Sequence, residues 1–342
     1  VLSNAGEVSI TGGIGSELCL SCKTKDDTNG TTTDTDRVNR QGFSVLTIAV
    51  EEDLGTGTTA YVSVTNKIDV TEADASGATN NSNWSLQDGR IGLKGDWGNV
   101  MLTSREPIFE LTHIIDAFGA QNGDSGGTQD SLLLTGIAGG LYNFTHVMPD
   151  MISYQMAPMG NLNLELVYGW GAAEETGDGT EGTTSGTAYD MSIMQVGASY
   201  AMGNMTLKGS YASHTEVDPN DGGGYGIGSG AADASGLVGA LIYDMGNVKI
   251  SVAINDLEMD MASSTTFTNT NYSGKTFERS GQSVNIQYPV STGLLTFHTS
   301  MVDDVKVDGT ALANSGAKNW NVAYIHNLSA STYLFGAYVN KN

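Results

Sequence analysis

The chain has 342 residues, with 38 Asp and Glu against 15 Lys and Arg, a formal charge of -23, 45 Gly, 5 Pro and a hydrophobic share of 39%. That charge balance excludes a nucleic-acid binder, which needs a basic footprint, and the lack of any run of 18 apolar residues excludes a transmembrane helix. The length allows two domains, but large barrels run as one, and a single domain over residues 1–342 is expected.

The N-terminal stretch "VLSNAGEVSITGG" has no basic region followed by an apolar core, so any leader has been removed or never existed. Next, Cys19 and Cys22 sit in "CLSC", where a strand pattern runs into a polar loop. Two thiols with no second pair and no nearby His do not make a zinc site. In extended chain they would stand roughly 10 Å apart, beyond disulfide reach, whereas a turn would bring them together. A local disulfide and plain structural or free thiols both remain open. The run "GRIGLK" has weak periodicity and leaves open whether Arg90 or Ile91 points inward. The segment "EPIFELTHIIDAFG" spaces Ile108, Leu111, Ile114, Ile115 and Phe118 as one face of a short helix, with Glu110, His113 and Asp116 on another.

From residue 161 a period of two takes over. "NLNLELVYGW" sets Asn161, Asn163 and Glu165 against Leu162, Leu164, Leu166 and Tyr168. "MTLKGSY", "VKISVAIN" and "SVNIQY" repeat the scheme, and "TYLFGAYVN" at residues 332–340 is the last of fifteen strand candidates. Tight turns lie at "DLGTG" from Asp53, "GDWG" from Gly95, "APMGN" from Ala157, "MGN" from Met202 and from Met245, "PVSTG" from Pro289 and "LSAS" from Leu328. Their centres step by about 40 residues, except for a second interval about 20 longer. Between them lie long polar loops such as "EETGDGTEGTTSGT" and "EVDPNDGGGYGIGSGAADAS".

A soluble sandwich and a membrane barrel both alternate, so the strand pattern alone does not say which face meets water. Loop asymmetry decides it. Short turns at one end and long loops at the other are how outer-membrane barrels are built, whereas Greek-key sandwiches scatter loop lengths. The expected fold is therefore all-β, a transmembrane up-and-down antiparallel barrel of about sixteen strands. Such a barrel is too wide for side chains to fill, so polar faces line water and apolar faces meet lipid. Tyr168, Trp170, Tyr211, Tyr243, Tyr288, Tyr324 and Tyr333 lie near strand ends, as an interfacial girdle would place them.

At these positions the sequence resembles the general porins of Gram-negative bacteria. "FSVLTIAVEEDLGTGTTAYVSV" is similar to the family's second and third strands, "GRIGLKGDWGNVMLTSRE" to the fourth and fifth, and "NVAYIHNLSASTYLFGAYV" to the penultimate hairpin. The resemblance implies a sixteen-stranded homotrimer in the bacterial outer membrane, in contact with lipid and lipopolysaccharide, whose third loop folds into the lumen. That loop corresponds to about residues 106–146, the long interval. It implies an acidic side of a constriction at Glu110, Asp116 and Asp124, faced by wall bases among Arg37, Arg40, Arg90, Lys94 and Arg105, of which Arg105 is the best placed. Two departures stand out. Ser44, Val45 and Gln87 occupy positions where the family carries bases, and the chain stops at "YVNKN" after a fifteenth strand. An unpaired edge in lipid would leave backbone groups unsatisfied at several kcal/mol each, so either the count is off or a closing strand is absent.

No catalytic constellation is present: His113, His146, His214, His298 and His326 are scattered, and "GGGYGIGSG" leads into neither a helix nor a Lys. No cofactor is expected. Ca²⁺ has oxygen ligands available in loops such as "DDTNGTTTDTD", but no spacing matches a twelve-residue calcium loop. The reading is a passive, cation-preferring channel for small hydrophilic solutes. The alternative is a soluble extracellular or surface-layer acidic β protein without transport activity.

Overall fold

The computed structural model describes residues 6–14, 16–19, 22–26, 31–35, 38–41, 44–68, 84–103, 151–172, 175–176, 180–181, 190–217, 232–261, 266–267, 270–271, 274–313 and 315–341. Fifteen long strands follow in chain order: β1 (Glu7–Gly13), β2 (Val45–Asp53), β3 (Thr58–Ile68), β4 (Trp84–Gly95), β5 (Gly98–Thr103), β6 (Met151–Met156), β7 (Leu162–Ala172), β8 (Asp190–Met202), β9 (Met205–Val217), β10 (Ala232–Asp244), β11 (Lys249–Met261), β12 (Thr276–Val290), β13 (Gly293–Val302), β14 (Ala317–Asn327) and β15 (Tyr333–Lys341). Each pairs antiparallel with its successor. The result is an unbroken meander with all seven expected tight turns in place.

β7 answers the question left by its alternation. Leu166 and Tyr168 are 52% exposed, while Glu165 is 1% and Val167 4% exposed. The same inversion holds along β11, where Ile254 is 61% and Asn255 5% exposed. Among the described residues no helix and no second large sheet covers the buried face, so the sheet covers it by curling around it. In water, the outer face would forgo about 1 kcal/mol for each half-exposed apolar side chain. Several dozen of them would exceed the roughly 5–15 kcal/mol by which a domain is stable. Against acyl chains that penalty vanishes, and the pattern becomes the stable one.

The inversion has an upper limit. Beyond Ile254 the outer face of β11 becomes Asp256, Glu258 and Asp260, all exposed, and the inner face becomes Leu257, Met259 and Met261, all buried. Cross-strand register continues this inner belt, apolar but for His214, through Met151, Gly169, Ile193, His214, Ala234, Met259 and Phe277. Strands that carry carboxylates outward at this level have left the hydrocarbon. Short hairpins, including Ser16–Cys19 with Val38–Gln41, Cys22–Asp26 with Thr31–Thr35, and Lys306–Val307 with Thr310–Ala311, rise from the same end.

The tight turns use backbone that L side chains disfavour. Gly203, φ 60°, takes the first central position between β8 and β9, as a two-residue hairpin requires. Ser291 occupies the equivalent place between β12 and β13 at φ 52° without glycine's freedom. The outward girdle consists of Tyr168 against Trp170, with ring centroids 5.9 Å apart, Trp320 against Tyr338 at 5.2 Å, and Tyr211, Tyr243, Tyr288 and Tyr324. Tyr333 is a correction: it pairs with Asn327 and so shares the face of Ile325 and Phe335, the inner one. One residue decides a side chain's face, and distance from a strand end does not encode it.

Every residue of β1 is exposed on both faces, and β1 and β15 do not pair with each other among the described residues. With fifteen alternating strands the two edges run in the same direction, whereas antiparallel closure needs an even number.

Candidate pore lining

The inner wall of β2–β7 is a connected polar surface. Tyr61 Oη donates to Asn99 Oδ1 at 2.8 Å, Asn99 Nδ2 to Gln155 Oε1 at 3.2 Å, and Gln155 Nε2 to Glu165 Oε1 at 3.1 Å. Ser153 Oγ donates to the same carboxylate oxygen at 2.7 Å. The chain exists because register sets Asn99 opposite Gln155, and Gln155 opposite Glu165, all on the inward parity. Two donors on one carboxylate oxygen fix its position.

Basic residues join this wall already partnered. Lys94 Nζ lies 2.6 Å from Glu51 Oε1 and 5.5 Å from the Tyr61 ring centroid. Arg90 Nε lies 2.9 Å from Asp88 Oδ2, two residues back on the same face of β4. The register of β3 and β4, with Ser63 opposite Arg90, settles the open question: Arg90 points inward and Ile91, 58% exposed, points to lipid. Arg90 and Lys94 are thus each matched by a carboxylate, and the net field of these two pairs is small.

Of the other expected site residues, Arg105, Glu110, Asp116 and Asp124, together with the third-loop segment, lie outside the described residues, as does Arg37. Arg40 lies in the strand Val38–Gln41, where it pairs with Glu17, but its side chain and those of Cys19 and Cys22 are not among those described. Among the described residues no group of three or more His, Cys, Asp or Glu is placed to hold a metal ion. Glu51, Asp88 and Glu165 are lumen carboxylates that sequence reasoning missed. Glu165 stood on the polar side of its alternation, which was the one available signal; the partners on other strands left no local trace.

On β11–β14 the inner wall carries the buried Arg279 and, further along, an uncharged row. Ser251 stands opposite Asn285, Asn285 opposite His298, and His298 opposite Asn321, with all four side chains no more than 5% exposed.

An up-and-down sheet with an apolar outer face and a polar, charge-paired interior defines an outer-membrane channel protein. The Gram-negative porin family matches residues 4–342, and the chain belongs to that family, whose place is the bacterial outer membrane. Among solved structures it is similar to an anion-selective porin from Comamonas acidovorans, with 18% identity and a TM-score of 0.69 over 98% of this chain and 90% of that one. It is also similar to OmpT of Vibrio cholerae, with 11% identity and a TM-score of 0.68 over 99% and 88%. A third likeness is to Salmonella typhi OmpF in complex with daunomycin, with 13% identity and a TM-score of 0.64 over 98% and 90%. At these identities the likeness is one of fold. No curated protein sequence matches.

Proposed function

We propose that this porin is a passive, cation-preferring diffusion channel for small hydrophilic solutes, working as a homotrimer among lipid and lipopolysaccharide and catalysing no reaction. The observation that carries the reading is the carboxylate content of the β2–β7 wall, where Glu51, Asp88 and Glu165 stand with Arg90 and Lys94 among the described side chains. A low-dielectric lumen wall with more carboxylates than bases concentrates cations. The Comamonas acidovorans porin is anion-selective by its name; fold does not transmit selectivity, which resides in the few charges each lumen presents.

Reversal potential in a salt gradient across a planar bilayer is the test. The sign expected is that of a cation-selective pore, and an anion-selective sign overturns the reading. Lys94→Gln leaves Glu51 without its ammonium partner, so its reversal potential should move further in the cation direction.

A further inference from the structure

We infer that the inner wall of β12–β14 carries a binding site for an uncharged polyhydroxyl solute, sugar-like in chemistry, centred on Asn285, His298 and Asn321. The inference rests on the channel reading for the solute's route, though not for the site itself.

The three residues form a cross-strand row facing the lumen. Asn285 is 4%, His298 1% and Asn321 1% exposed. Yet Asn285 Oδ1, both ring nitrogens of His298, and both Oδ1 and Nδ2 of Asn321 have no hydrogen-bond partner among the described residues. Ser300 Oγ, two residues along β13 on the same face, also lacks one. Buried polar groups are normally paired, and each left unmade costs about 1–3 kcal/mol. Elsewhere on the inner wall Gln195 donates to Ser210 at 3.0 Å and Ser153 to Glu165 at 2.7 Å, and six of the ten unmet buried side-chain atoms among the described residues lie here.

The unmet set has a definite chemistry. A neutral imidazole offers one donor and one acceptor, the Asn321 amide offers two donors and an acceptor, Asn285 adds an acceptor, and Ser300 can do either. A carboxylate or phosphate could use only the donors, and an ammonium only the acceptors. A hydroxyl donates and accepts through one atom, so neighbouring hydroxyls satisfy a mixed row. No ionised side chain belongs to the row. Lys249, two residues from Ser251 on the same face, lies 3.9 Å from Asp244. Two strand spacings put Asn285 and Asn321 about 10 Å apart, a span that one or two sugar rings cover.

The test uses full-length protein in planar bilayers, with sucrose as the polyhydroxyl probe and the ether tetraglyme, which accepts but does not donate, as the control. Sucrose should reduce the ion current saturably, whereas tetraglyme should reduce it only in proportion to viscosity. His298→Phe and Asn321→Leu keep the shape and remove the polar atoms, and each should raise the half-blocking sucrose concentration about tenfold, as the loss of one or two hydrogen bonds implies. His298→Gln retains a donor and an acceptor and should preserve the block; heat-modifiable migration checks that every variant has folded. Equilibrium dialysis of labelled sucrose against the detergent-solubilised protein reads the same site without conduction. Current without saturable block, or block indifferent to these substitutions, overturns the inference and leaves the channel intact. Saturable binding in dialysis with no conductance supports the site and sinks the channel reading.

Discussion

At the scale of single residues, position relative to the bilayer governs what a side chain contributes. Leu166 points outward at 52% exposure within the apolar band, one residue from the buried Glu165. Leu166→Arg should destabilise the folded barrel by about 2–4 kcal/mol, the cost of a cation on the lipid face near mid-depth, read as a lower urea midpoint in lipid vesicles. Glu258 sits above that band, where desolvation and then the neighbouring Asp260, Glu278 and Asp256 raise its pKa above the usual carboxylate value. A carboxyl whose folded pKa is raised binds its proton more tightly in the native state. The penalty is therefore full above the folded pKa, shrinks as pH falls through it, and is gone below the unfolded value. Glu258→Gln should accordingly be more stable than the parent at pH 8, with the gap closing on acidification, as unfolding midpoints across pH would record. Much of this residue-level picture was legible: the parity of β7 assigned Glu165 and Leu166 to opposite faces from sequence alone. Arg90 was not, because glycines on both sides of "RI" remove the alternation that would have oriented it. Only the pairing of Ser63 with Arg90 does so.

Strands and turns are where local sequence spoke most plainly. All seven tight turns fall where Gly, Asn, Ser and Pro cluster, because those residues reach backbone angles that others resist. The β12–β13 turn is the exception that tests the rule, with Ser291 at φ 52°. Ser291→Gly relieves a left-handed L residue and should stabilise the barrel by about 1 kcal/mol, against the smaller entropy gain of the unfolded chain. Urea unfolding in detergent micelles measures it, and a lowered midpoint would show the serine unstrained. The short hairpins within the long loops were not anticipated, since "KVDGTA" and "CKTKDDTNGTTTDT" carry no apolar alternation. The first adds to the sheet through Phe277 opposite Val307 and Glu278 opposite Lys306, pairings between segments distant in the chain.

For the whole molecule the decisive quantity is how charge is distributed about the lumen. Part of the chain's formal charge of -23 sits on the outer collar, as at Asp256, Glu258 and Asp260, while on the wall Arg90 and Lys94 are each paired with a carboxylate. Charge outside the pore acts over a Debye length, about 10 Å at 0.1 M salt and about 3 Å at 1 M. Cation preference should therefore fall as salt rises between these limits, as permeability ratios from reversal potentials would show, and a preference unchanged by salt would place its origin wholly in desolvated lumen groups such as Glu165. By itself the amino-acid order determined the strand period, the turn positions and the short-turn, long-loop asymmetry, and hence a barrel with its apolar side outward. Those are properties of neighbours in sequence, fixed by backbone sterics and a period of two. Which residues meet across the lumen wall was decided only by the tertiary structure, as with Lys94 and Glu51, Gln155 and Glu165, or His298 between Asn285 and Asn321. Cross-strand register joins residues far apart along the chain, and no local pattern encodes which of them will face each other.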